Sequence, residues 1–184
     1  MNCRNLLLVV VATLAVTCLA QNSDDRSKGL DVRSSIGDLH VGKDADAQRA
    51  GLPLYPGAQL QRDGKDDPLN LGVLTESFGL KLVVAKYRSD DTADKVLTFY
   101  RNKMKKYGKV LECHNQNDNT SVHADDQSGA KPLKCEGDSS GPVRELKVGT
   151  EDNAHIVAVE PGQPGNGCTF TLVYLYKRDK EGEI

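Results

Sequence analysis

The sequence predicts an α+β domain, with one main helix at about residues 91–107 on a mostly antiparallel sheet of seven to nine strands. Three observations carry this expectation. Apolar residues recur at helical spacing in one segment only, short runs with strand-like alternation lie on both sides of it, and polar turns separate those runs.

In chain order, LDVRSSIGDLHVG alternates Leu30 and Val32, then Leu39 and Val41, around Ile36-Gly37-Asp38, which reads as two short strands and a turn. GLPLYPGAQL holds two prolines, each without a backbone donor, so it reads as an extended crossing. DGKDDP is a turn, and NLGVLTESF and GLKLVVAKYR are strands. In the second of these, Leu80, Leu82 and Val84 share one face and Val83, Ala85 and Tyr87 the other, the pattern of a central strand covered on both sides.

Ala93, Val96, Leu97, Tyr100 and Met104 then recur at helical spacing. Asp91 or Thr92 suits the N-cap, Gly108 the left-handed stop, and Lys103, Lys105 and Lys106 the negative end of the helix dipole. KVLECH, PLKCE, VRELKVG, AHIVAVE and CTFTLVYLYK follow as five strand-like runs. Residues 114–131 form the longest polar loop.

The start of the chain has the layout of a secretory signal peptide over residues 1–20: an early charge at Arg4, an apolar run from Leu6 to Val16, then small residues. The run is shorter than the ~20 residues needed to cross a bilayer, so no transmembrane span is expected. Cys18 and Ala20 occupy the −3 and −1 positions of an ordinary cleavage site, giving a mature start at Gln21. A competing reading makes Cys18 the acylated first residue of a lipoprotein, since Leu-Ala-Val-Thr-Cys is similar to a lipobox, with Thr17 and Ala15 departing from it. Under either reading the protein is exported: periplasmic or secreted, or lipid-anchored at a membrane surface. Residues 21–29 have no apolar side chain and read as a disordered tether, leaving residues 30–184 as one domain.

Loss of residues 1–20 removes Arg4 and no acid, so the mature chain carries 23 basic and 26 acidic residues. That balance argues against nucleic acid as a partner. The charge is uneven, with nine Lys or Arg against three Asp in residues 81–109. Helical phase leaves Lys95, Arg101, Lys105 and Lys106 exposed, as a solvated face or a weak docking surface for an anionic envelope component.

Cys113, Cys135 and Cys168 remain after cleavage, and an odd count in an oxidising compartment implies one disulfide and one free thiol. Alternation places Leu111 with Cys113 and Leu133 with Cys135, each pair on one strand face. If KVLECH and PLKCE are antiparallel neighbours, a Cys113–Cys135 bridge follows. Cys168 is in phase with Phe170, Leu172, Tyr174 and Tyr176, as a buried thiol.

Cys135 also begins CEGDSSGPV, similar to the nucleophile loop of chymotrypsin-like serine proteases, with Ser139 in the nucleophile position and Gly137 and Ser139 as oxyanion donors. Ser140 replaces a glycine of that motif, and none of His40, His114, His123 or His155 has that family's histidine context. Each residue of Gly-Asp-Ser-Ser-Gly-Pro is a turn former, so a turn is expected. A thiolate pair of Cys168 with His155 or His114 has only residue type behind it. His114, His123, Asp118, Asp125 and Asp126 have neither zinc-site nor EF-hand spacing, and no metal or cofactor is expected.

GLPLYPGA, FGLKLVVAKYRSDDTADKVLTFYRNKMKKYG and TFTLVYL together resemble a family of exported bacterial proteins in which a Leu-Pro-x-Tyr-Pro-Gly-Ala crossing precedes a strand and a Phe-Tyr-containing helix. The resemblance covers roughly residues 50–176 and implies an envelope or secreted protein with no activity or catalytic residue to carry over. The expected function is therefore a monomeric, non-enzymatic binding or envelope-associated module whose partner is an envelope component or a small molecule. The alternative is a serine hydrolase centred on Ser139.

Overall fold

The computed structural model of the chain describes residues 29–62, 67–115, 131–135 and 141–179. Nine strands form one open sheet: β1 Leu30–Ser34, β2 Gly37–Gly42, β3 Gln59–Leu60, β4 Leu69–Thr75, β5 Phe78–Ser89, β6 Leu111–Asn115, β7 Val143–Thr150, β8 Asn153–Pro161 and β9 Cys168–Asp179. Their spatial order is β1-β2-β4-β5-β9-β8-β7-β6, every pairing is antiparallel, and β3 extends the β4 side of β5. Among the described residues one α-helix, α1 Ala93–Met104, continues as a 3-10 turn over Lys105–Tyr107. The architecture is α+β in outline and strand-dominated.

Thr92 occupies the N-cap of α1 without a side-chain capping bond. Asp91 instead accepts from the Tyr55 hydroxyl at 2.9 Å and from Lys95 Nζ at 2.6 Å, so the acid before the helix ties it to the crossing. Gly108, at φ 134°, ends the turn in a conformation that favours glycine. Val96, Leu97, Tyr100 and Met104 are the buried stripe, and they lie across β7 and β8.

Tyr87 of β5 and Phe170 of β9 stack at 5.4 Å, and Tyr100 and Tyr55 approach the same Phe170 ring at 5.5 and 6.3 Å. Strands, helix and crossing thus share one aromatic centre. The crossing, residues 43–58, buries Ala45, Ala47, Ala50, Leu52 and Tyr55 on this side of the sheet. Its backbone closes on itself in turns, as in Ala50 N–H to the Asp46 carbonyl and Leu52 N–H to the Ala47 carbonyl, and side chains take further groups: the Ala47 N–H donates to the Tyr87 hydroxyl at 2.8 Å, and His155 Nδ1 bonds the Ala50 carbonyl at 3.0 Å. Tyr107 and Tyr174 stack on the His155 ring at 3.8 and 4.7 Å.

The opposite face carries a second apolar layer of Ala154, Ile156, Val173 and Leu175, with Leu80, Leu82, Val84 and Leu133 against it. Cys113 and Cys135 sit at disulfide distance, their Cα atoms 5.4 Å apart. The route to that juxtaposition differs from the expected one. PLKCE forms no strand among the described residues, only a bridge from Pro132 to Thr150, and the neighbour of β6 is β7, with Cys113 opposite Glu145. That bridge, with the Glu151 N–H donating to the Lys131 carbonyl at 2.9 Å, is the link between this segment and the end of β7 among the described residues.

Candidate functional site

α1 covers the β7–β8 end of the sheet and the crossing covers the middle, so among the described residues the helix-side face of β1, β2 and β4 stays open. The register aligns one row across it: Asp31, His40, Gly72, Lys81 and Tyr176. The next row holds Arg33, Asp38, Leu74, Gly79 and Arg178. Gly72 and Gly79 contribute no side chain, which lowers the floor where the flanking residues rise. The result is a cleft of about 390 Å³ whose size suits a small ligand.

His40 organises one wall. Its Nδ1 lies 2.7 Å from Asp31 Oδ1, while Nε2 lies 3.1 Å from Asn70 Nδ2 and 3.3 Å from Asp44 Oδ1. With the proton on Nδ1, the ring donates to Asp31 and accepts from Asn70; a second proton on Nε2 is directed at Asp44. Hydrogen bonding to Asp31 is the largest influence on this ring and raises its pKa, against a smaller opposing effect of burial. For Asp44, burial alone would raise the pKa, yet bonds from Asn70 and His40 and the charge of Arg49, 2.7 Å away, outweigh it and lower it. Asn70 is almost fully buried and donates to Asp44 Oδ1 at 3.1 Å, fixing strand β4 to the crossing.

The other walls are less committed. Lys81 Nζ sits over the Tyr174 ring at 5.4 Å, and neither it nor Arg33 has a carboxylate partner among the described residues. Tyr176 and Leu74 stand out of the surface, 37% and 50% exposed. The cleft therefore offers free cations and apolar walls beside a pre-assembled His–Asp–Asn network.

Of the residues singled out in sequence, Ser139, His123, Asp118, Asp125, Asp126 and Cys18 lie outside the described residues. Cys168 and His155 are not brought together: Cys168 pairs with Pro161 on β8, six positions from His155. His114 is on the edge strand β6, separated from β9 by β7 and β8. Burial, with a smaller effect of Asp91, pushes the Cys168 thiol up to about 11, so it is held protonated. No group of metal-ligating side chains occurs among the described residues.

Two of the four helix-surface cations are answered by carboxylates, while Lys105 donates to Asn102 Oδ1 and Lys106 to the Gly51 carbonyl. Lys95 pairs with Asp91 and Arg101 with Glu112, each at 2.6 Å, and Arg144 joins Glu112 and Asp94 at 2.5 Å each. Sequence reading missed the His40 network, whose members are spread over four segments. A polar Asn70 within a strand, and Gly72 and Gly79 in neighbouring strands, were its only sequence signals. Comparison with protein-family models, curated proteins and solved structures finds no match to this chain.

Proposed function

We propose that the protein is an exported, non-enzymatic binding module whose ligand occupies the cleft over Gly72 and Gly79. The carrying observation is the juxtaposition of a glycine floor, the apolar Leu74 and Tyr176, and the cations Arg33 and Lys81, which have no carboxylate partner among the described residues. These groups fit a small amphipathic molecule with a negatively charged end: the apolar part lies on the floor, and the acid meets Lys81. Both nitrogens of His40 are engaged by Asp31, Asn70 and Asp44, which suits a ring that shapes and polarises a wall.

Export is supported by the signal-peptide layout of residues 1–20 and by the cysteine pair at disulfide distance. Among the described residues no helix is long and apolar enough to cross a membrane. Membership of the exported bacterial family that residues 50–176 resemble, and the choice between a Gln21 start and a lipid on Cys18, belong to the same proposal.

The test uses octanoate and 4-phenylbutyrate as probes in an NMR titration of the 15N-labelled protein. Saturable shifts should map to β2, β4 and β5, and Gly72→Leu should abolish them. An added Cβ at Gly72 meets only the His40 Cβ, at 3.7 Å, so the variant fills the cleft without a backbone clash. Shifts elsewhere, or binding unaltered by Gly72→Leu, overturn the assignment. Stoichiometric labelling of Ser139 by a fluorophosphonate would favour the hydrolase reading.

A further inference from the structure

We propose that two copies of this chain join edge to edge through β1, as an antiparallel strand pair with its twofold axis at Val32. Among the described residues β1 is an edge of the sheet and all five of its residues are exposed, including Leu30 at 59% and Val32 at 44%. Exposed edges template pairing with another chain unless something blocks it. No proline and no bulge interrupts β1, and its register with β2 is continuous from Leu30 to Ser34.

The hairpin sets which backbone groups are free. Ser35 and Ile36 form a two-residue loop, which closes on a hydrogen-bonded pair, here Ser34 and Gly37. Antiparallel pairs alternate, so Val32 and Leu30 also turn their backbone groups to β2, while those of Asp31 and Arg33 turn outward. A second β1 strand can therefore dock only where Asp31 and Arg33 stand in hydrogen-bonded pairs. Asp31 opposite Asp31, or Arg33 opposite Arg33, sets like charges against each other. Asp31 opposite Arg33 pairs opposite charges twice and brings Val32 against Val32. One register thus satisfies backbone, charge and apolar contact together.

Charges on an edge strand ordinarily oppose aggregation, but alternating charges of opposite sign are self-complementary about a twofold axis. Asp31 retains capacity for a second donor: one oxygen meets His40 at 2.7 Å, and its side chain is 64% exposed. Arg33 has no acidic partner among the described residues. In the pair, the sheet runs continuously through both copies, and the two clefts open on the same face on either side of the axis. Composition gives no view of an open edge, and the proposed symmetric dimer departs from the monomer expected from sequence.

Analytical ultracentrifugation of the mature chain tests this. The wild type should sediment as a dimer, and Asp31→Arg or Arg33→Asp alone should each weaken the dimer about tenfold or more, since attraction becomes repulsion at two symmetric pairs. The double reversal should restore it. Val32→Cys should give a disulfide-linked dimer on a non-reducing gel, because residues facing one another at a non-hydrogen-bonded site have Cα atoms about 4.5 Å apart. Circular dichroism establishes that each variant is folded. A wild-type chain that stays monomeric to about 100 μM, a dimer indifferent to both single reversals, or a folded double reversal that stays monomeric would each overturn the proposal.

Discussion

Phe170→Ala removes the ring on which strand, helix and crossing converge. The side chain is 1% exposed, and Tyr87, Tyr100 and Tyr55 have ring centres 5.4, 5.5 and 6.3 Å from it. Truncating a buried Phe to Ala costs about 3–5 kcal/mol. Each aromatic pair adds about 0.5–1.5 kcal/mol beyond area burial, so this site belongs at the upper end, about 5 kcal/mol. That is comparable with the whole stability of a modest domain, about 5–15 kcal/mol. Phe170→Leu keeps most of the volume and loses the ring geometry, for which about 1–3 kcal/mol is expected. Urea unfolding followed by circular dichroism measures both, and with a slope of about 2 kcal/mol per molar the alanine variant should shift the midpoint by roughly 2.5 M. Tyr176→Ala, at an exposed position, should change stability by less than about 1 kcal/mol. A Phe170→Ala cost below about 2 kcal/mol would refute the idea that this ring joins the three elements.

Non-reducing peptide mapping should recover Cys113 and Cys135 in one linked species with Cys168 free, and replacing Cys113 and Cys135 with serine should cost about 3 kcal/mol for a loop closed across 22 positions. The two histidines titrate in opposite senses. Burial, then Lys106, lowers the His155 pKa against the opposing bond to Ala50, so the unfolded chain binds the proton more readily and stability should fall as pH drops from about 6.5 through the folded pKa. His40, raised chiefly by Asp31, contributes stability that is present below about 6.5 and lost as pH rises through its folded pKa. Urea midpoints should therefore fall less between about pH 6.5 and 5 in His155→Phe, the remaining acid loss belonging to carboxylates such as Asp44, and should fall less on the alkaline side in His40→Gln; unchanged slopes in both variants would contradict the assignments. Intact mass of protein from its native host should show either a chain starting at Gln21 or an acylated Cys18, and retention of residues 1–20 would refute export by signal cleavage.

The helix, the central strand and the crossing were legible because each is encoded locally. Val96, Leu97, Tyr100 and Met104 repeat at the period of a helix, Val83, Ala85 and Tyr87 at that of a strand, and the prolines of GLPLYP, which remove two donors, keep residues 51–58 out of the ladder, while Gln59 and Leu60 at the end of the expected crossing pair with β5. Phase likewise predicted the buried side of Cys168, which is 2% exposed. PLKCE forms a bridge and no strand among the described residues: two alternating apolar positions are too short a pattern to specify a ladder, and the proline is not the obstacle, since the bridge forms at Pro132 itself and Pro161 pairs within β8. The cysteine pair was nevertheless anticipated correctly as a juxtaposition, through a neighbour relation that does not exist.

Partner choice between strands depends on long-range register, and there the sequence is silent. Asp31, His40, Asp44 and Asn70 are up to 39 positions apart and converge because β1, β2 and β4 pair in one register while Tyr87 and His155 hold the crossing over the sheet. A slip of one residue would turn every one of these strand side chains to the opposite face. Periodicity determined which residues share a face; only the tertiary pairing decided which faces meet, because hydrogen-bond register is a property of two segments and neither encodes it alone.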